Sequence, residues 1–450
     1  MITQLLAIAR NTFVESVRQP ILYILVMASG LLQLFNVFLS MYSMGFGDSA
    51  EVSGDDKLLL DIGLATVLLC ATLLAAFIAT AVLSREIEDK TALTVISKPV
   101  GRPLFVLSKY LGVAGAMLTA TAVMLLFFLF AIRHGVMSRA FDDPHIPVIV
   151  FVFGSLAIAT GVAVWGNFFY GWVFSSTAIT ILLPLLAVGY VASLFLTHNW
   201  RMQPPTTDLT PQVLMACAGV AMAMLVLTAV AVAASTRLGQ VMTILVCMGV
   251  FLFGLLSNHF VGRHAFVNYP VQQIAEAEAV SDRDGDFRDA GDTWRLTLRG
   301  ELRDELSPGD ALHYATNPGG IAMLTPTQRS LEGDPTRERD VFSPESGPAV
   351  VVLATPSARE LTIVNVGGAN VRRPPRAEDY IFTAPTRTNA AARVAWSVTP
   401  NMQFFWLVDA VTQAHPIPPR YMLMMTGYGA AQIAALLALA VILFQRREVG

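Results

Sequence analysis

Eight stretches of this chain are too long and too apolar to be at home in water. They lie at residues 21–42, 58–83, 111–132, 146–170, 177–196, 213–234, 241–256 and 421–444. A bilayer core accepts about twenty apolar residues as one helix. In hydrocarbon every backbone donor and acceptor must be satisfied within the protein, which leaves helices as the form such runs can take. The chain therefore reads as a mainly α-helical polytopic membrane protein with about eight transmembrane helices. Only 14% of residues are charged and 54% are hydrophobic, whereas a soluble domain carries about a quarter charged residues. The fourth and fifth runs are divided only by residues 171–176 (GWVFSS), so 146–196 reads either as two spans or as one broken span. Pro184 inside the fifth run is tolerable in a packed bundle. Cys70, Cys217 and Cys247 all fall inside apolar runs, and no disulfide framework is implied.

The charges fix an expected topology. Residues 1–19 form an amphipathic interfacial helix. Ile2, Leu5, Leu6, Ala9, Phe13 and Val17 follow helical spacing, and Gln4, Arg10, Asn11, Glu15 and Arg18 fill the other side. That pattern suits a helix lying in the membrane interface. Its scattered charges and lack of a small-residue cleavage site argue against a signal peptide. Lys and Arg concentrate in cytoplasmic loops. Arg10 and Arg18, loop 84–110, Arg237 and the terminal pair Arg446–Arg447 thus put both termini in the cytoplasm. The outward loops still carry Lys57, Arg133, Arg139 and Arg201, so the rule is obeyed imperfectly.

Loop 84–112 reads SREIEDKTALTVISKPVGRPLFVLSKYLG and holds three of the chain's four lysines. Residues 85–97 can form a short helix with Glu86, Glu88 and Asp89 in its first turn, where the helix dipole favours acids. Pro99 ends it, because the residue before proline is pushed out of the α region. Gly101, Arg102 and Pro103 form a turn before the next span. The run REIEDKTALTVISKPVGR, set between the second and third spans, resembles the coupling-helix loop of type-2 ABC exporter permeases. The amphipathic start, the short segment before the last span and the ending FQRREVG are similar to that family as well. The resemblance implies a loop that docks in a groove of a separate ATPase subunit. Arg85, Glu86, Glu88, Lys90, Thr91, Lys98, Pro99 and Arg102 would then serve docking and rigidity without bond chemistry.

Residues 258–400 change character. They have no lysine and are rich in Gly, Pro, Arg and acids. Residues 293–302 alternate apolar and polar as a half-buried strand does. Residues 349–354, 360–366, 380–384 and 392–398 also read as strands, with turn signals between them. We expect an inserted extracytoplasmic β-rich domain, most simply a β-sandwich. Residues 401–419 read as an interfacial helix or connector, with Phe404, Phe405, Trp406 and Leu407 suited to the water–lipid boundary. Residues 420–450 supply the last span and a cytoplasmic tail.

No lysine follows a glycine, so the Gly-x-x-x-x-Gly-Lys-Ser/Thr phosphate loop is missing. No ionisable group lies deep in a span, as a proton- or sodium-coupled carrier would need. His259 and His264 lie close together without a metal-site pattern. The acidic run at 282–292 lacks the glycine and glutamate placement of a calcium loop, so it reads as solvated. No catalytic or metal site is expected on this chain. The resemblance implies a permease subunit, dimeric with itself or a related permease, in a bacterial cytoplasmic membrane. ATP and magnesium would sit on the partner ATPase, membrane lipid would surround the spans, and nucleic acid is not an expected partner. The competing reading is a membrane-anchored binding or assembly protein working through its external β domain. The substrate is not legible.

Overall fold

The structure is a computed structural model describing residues 2–39, 48–84, 101–136, 144–281, 285–302, 306–321, 324–327, 329–371, 373–412 and 417–445. It divides into two units, Met1–Leu255 with Pro400–Gly450, and Leu256–Thr399.

The first unit is helical. Its helices are α1 (Ile2–Arg18), α2 (Pro20–Leu39), α3 (Asp48–Ala79), α4 (Arg102–His134), α5 (Ile146–Tyr170), α6 (Phe174–Leu194), α7 (Pro211–Ser235), α8 (Gln240–Leu255) and α9 (Pro419–Gln445). Among the described residues, seven helices are long and apolar enough to cross a membrane. The number becomes eight if the bent pair Gln240–Leu255 and Asn258–Ala265 is one span. Residues 146–196 resolve into two helices, because Gly171 takes a left-handed conformation (φ 65°, ψ 22°) that ends α5, as glycine does at helix C-termini. Helix α4 starts nine residues before the expected span. The expected turn at Gly101–Pro103 is its N-terminus, with Pro103 in the first turn. Proline suits that position because the N–H it lacks would have had no partner there.

Helix α4 is the hub of this unit. It packs on α1, α2, α3, α5, α6, α7 and α9 and buries Phe105, Phe127, Phe128 and Phe130. Small residues set the closest approaches. A Cβ at Gly112 would lie 2.5 Å from the Ala9 carbonyl oxygen of α1, and one at Gly63 would lie 2.5 Å from the Phe128 ring. Such contacts let membrane helices approach backbone to backbone. Polar ties cross between helices as well. On α2, Gln33 Nε2 donates to the Gly63 carbonyl at 2.8 Å and Asn36 Nδ2 to the Leu59 carbonyl at 2.9 Å, both on α3. The connector beyond residue 400 packs into the helical unit. Met402, Phe405, Leu407 and Val408 are buried in the helical core, and Gly219 of α7 makes room for the Phe405 carbonyl.

The second unit contains strands β1 (Phe266–Val267), β2 (Pro270–Ala279), β3 (Thr293–Leu298), β4 (His313–Ala315), β5 (Ala349–Ser357), β6 (Glu360–Val366), β7 (Tyr380–Phe382) and β8 (Arg387–Thr388). Six pair antiparallel in the order β4-β7-β2-β3-β6-β5. The residues just before β4 then pair with β5: Gly309 N–H donates to Val352 O at 2.8 Å, Val352 N–H to Asp310 O at 2.9 Å, and Leu312 N–H to Val350 O at 2.9 Å. The sheet closes on itself. It is a small barrel, and the expected two-sheet sandwich is corrected. Its interior takes one or more side chains from every strand or its immediate lead-in: Ile274, Leu296, Leu298, Leu312, Tyr314, Val350, Val352, Leu361, Ile363 and Ile381. A barrel of this size is filled by side chains and presents no open edge. Outside it, Leu331 and Val341 cover Val351, Val364 and Val366 of β5 and β6.

Residues 392–398, expected as a strand, lie in the helix Ala390–Val398. Asn389 caps it, its side-chain oxygen accepting from Ala391 N–H and Ala392 N–H. The alanine-rich first turn follows helix propensity. The reverse happened at β2, whose VQQIAEAEA suits a helix by the same scale. Pairing with β3 and β7 overrides it.

Candidate functional site

Loop 84–110 is bracketed by the end of α3 and the start of α4. Helix α3 ends in a π-helical turn, Thr80–Ser84, where Thr80 Oγ1 donates to Ala76 O at 2.8 Å. Such turns are rare and favour functional sites. Arg85, Glu86, Glu88, Lys90, Thr91, Lys98 and Pro99 lie outside the described residues. Of the expected site residues only Arg102 is placed.

Arg102 stands in the first turn of α4, and its Nη1 donates to the Gln445 carbonyl at 2.9 Å, at the end of α9. Arg237, in the α7–α8 turn, donates from Nε to the Leu443 carbonyl at 2.8 Å. The last turn of a helix carries carbonyls without intrahelical partners and a partial negative charge, so cationic donors fit it. Behind this clamp, Phe105 stacks on Phe444 at 5.6 Å between ring centroids. Lys109 Nζ lies 5.6 Å from the Phe105 ring centre. The C-terminus of α1 is held in a similar way: Ser175 Oγ, at the start of α6, donates to Arg18 O at 2.8 Å. The chain's return from the loop is thus bolted to the last membrane helix.

The residues 206 positions apart that form the second half of this clamp were not foreseen as partners. Arg237 was legible only as a charge marking a turn. Nothing local in the sequence pairs it with a backbone carbonyl of α9.

The opposite end of the helical unit has a matching device. Arg133 Nη2 donates to the Leu196 carbonyl at 2.8 Å and meets the Asp208 carboxylate at 3.0 Å. His145, preceding α5, is buried beside this group. Neither of its ring nitrogens has a hydrogen-bond partner among the described residues. Burial first, then the positive Arg133 and the neighbouring His134, lower its pKa to about 4. Between α2, α4 and α5 lies a cavity of about 210 Å³ whose wall is apolar except for Gln33 and His134. Among the described residues no cluster of His, Cys, Asp and Glu is arranged to hold a metal ion. The three cysteines are buried and unpaired.

Apolar helices long enough to cross a bilayer, joined by cross-helix carbonyl ties, define a polytopic membrane protein. Residues 59–240, from α3 to the start of α8, match the family model described as ABC-2 family transporter protein. No curated protein and no solved structure matches the chain.

Proposed function

We propose that this chain is the permease subunit of an ABC exporter, driven through loop 84–110 by a separate ATPase subunit. The carrying observation is the clamp at the loop's exit. Arg102 ties the start of α4 to the end of α9, so force on the loop reaches two membrane helices at once. Helix α4 spreads it further, because it packs on seven other helices of the unit. Glu86, Glu88, Lys90 and Lys98 dock on the ATPase, Thr91 and Pro99 shape the loop, and Arg85 and Arg102 anchor its ends. ATP and magnesium bind on the partner. The permease works as a dimer in a bacterial inner membrane with both termini cytoplasmic, and its barrel unit faces the other side.

The test is affinity capture of the detergent-solubilised protein from its native membrane. A Glu86→Ala/Glu88→Ala/Lys98→Ala variant is compared with wild type, and an Arg237→Ala variant serves as a control that leaves the docking side chains intact. An ATPase subunit recovered with wild type and with the control, and lost from the loop variant, supports the reading. If no ATPase appears and all three recover the same partners, the permease reading is overturned.

A further inference from the structure

We propose that the junction of the barrel unit, made of Asn258–Ala265, β1, β8 and the helix Ala390–Val398, is a membrane-surface anchor that takes anionic phospholipid headgroups. It needs only a membrane-embedded helical unit and is independent of the permease reading.

The junction is a compact structure of its own. Asn389 N–H donates to the Ala265 carbonyl at 3.0 Å. Trp396 Nε1 donates to Asn258 Oδ1 at 3.0 Å. Phe266 meets Trp396 edge to face, 5.9 Å between centroids. Gly262 leaves the space that the Trp396 ring and Ile321 occupy. Trp396 and Ala392, one turn apart, thus form the inner face of the helix. The outer face carries Ala391, Val394, Ala395 and Val398, all exposed, with Val394 62% and Val398 69% accessible. Phe260, Leu256 and Tyr269 of the same junction are about half exposed. A soluble surface scatters such residues singly; here five large apolar side chains gather in two short segments.

Charge selects the partner. Residues 256–270 and 386–399 contain no acid, and every Asp and Glu of the barrel unit lies between Glu276 and Asp379. The junction holds Arg263, Arg387 and Arg393. Arg387 lies 5.2 Å from the Tyr269 ring centre and Arg393 5.8 Å from that of Phe266, so both guanidinium groups sit beside aromatic rings. Apolar side chains with flanking arginines are the pattern of interfacial helices that bind anionic lipid. In sequence the junction begins at Asn258, three residues after the end of α8, and the chain returns to the first unit at Pro400, two residues after Val398.

The full-length protein, with Cys70, Cys217 and Cys247 replaced by alanine, is reconstituted in vesicles and spin-labelled at Val394→Cys. Val398→Cys is a second site on the same face, and Glu332→Cys, on an exposed barrel loop, is the aqueous control. Collision with oxygen is compared with collision with a water-soluble nickel chelate. The proposal expects both junction labels to favour oxygen and the control to favour nickel. It expects the preference to rise when phosphatidylglycerol is added to phosphatidylcholine vesicles. That rise is lost with Arg263→Gln/Arg387→Gln/Arg393→Gln, and is reduced by Arg393→Gln alone, which disturbs the fold least. Junction labels open to nickel overturn it. Labels shielded from both reagents also overturn it, since protein would then cover the face. An oxygen preference indifferent to lipid charge overturns the headgroup assignment.

Discussion

The helical unit and the barrel unit satisfy their backbones in opposite ways, and their polar side chains are used differently as a result. Each helix closes its own hydrogen bonds, so the side chains of the helical unit are free to tie helices together. Gln33, Asn36, Arg102, Arg133 and Arg237 all donate to carbonyls of other helices, Arg133 to that of Ser193 in α6. The barrel's strands depend on one another for every ladder bond. Its most buried ion pair, Arg373 with Asp379, holds the turn entering β7: the guanidinium meets both carboxylate oxygens, at 2.6 and 2.8 Å, and Arg376 N–H adds a third bond. One region is a set of stable pieces joined by local ties. The other stands or falls as a closed ring.

The sharpest test of that contrast is Arg373→Ala. Asp379 is fully buried, and stranding a buried charge costs about 3–5 kcal/mol. The expected result is loss of amide-exchange protection across all six strands at once, with the helical unit's protection unchanged. Fraying confined to β7 would break the idea of a cooperative ring. A second test uses pH on the helical unit. The folded pKa of His145, about 4, lies below the ordinary 6.5, so the unfolded chain binds the proton more tightly. The stability this group contributes is full above about pH 6.5 and is lost as pH falls toward 4. Thermal unfolding of the helical unit should show that decline, and His145→Phe should flatten it. The smallest effect is expected from Gln33→Leu. Interhelical hydrogen bonds in membranes are worth roughly 0.6–2 kcal/mol, so the loss should be local to the α2–α3 contact. A loss as large as that from Arg373→Ala would erase the contrast.

Much of the helical unit was legible because hydrophobicity is a one-dimensional property. A run that must cross a bilayer announces itself without knowledge of its neighbours, and 146–170 was read to the residue. The start of α4 was missed by nine residues because amphipathic residues 102–110 do not look like lipid-facing helix; Arg102 and Phe105 meet α9 and Tyr110 meets α7 instead. The strand at 293–298 was visible through alternation in 293–302, and those at 349–357, 360–366 and 380–382 as the apolar runs 349–354, 360–366 and 380–384 between turn signals. The strand β2 and the helix Ala390–Val398 were not, since pairing partners outweighed the propensity of the first and a single capping asparagine governed the second. Of the site, the loop and Arg102 were legible as a charged motif, and the clamp was not.

The sequence alone determined that this chain enters a membrane many times, that a β-rich segment is inserted before its last span, and that a charged, proline-terminated loop separates two spans. Those are properties of composition and period. Only the tertiary structure decided that the sheet closes into a barrel, that Arg102 and Arg237 converge on one helix end, and that the junction gathers its arginines beside an apolar face. Each of these depends on residues tens to hundreds of positions apart meeting in space, and no local propensity encodes where a distant backbone carbonyl will lie.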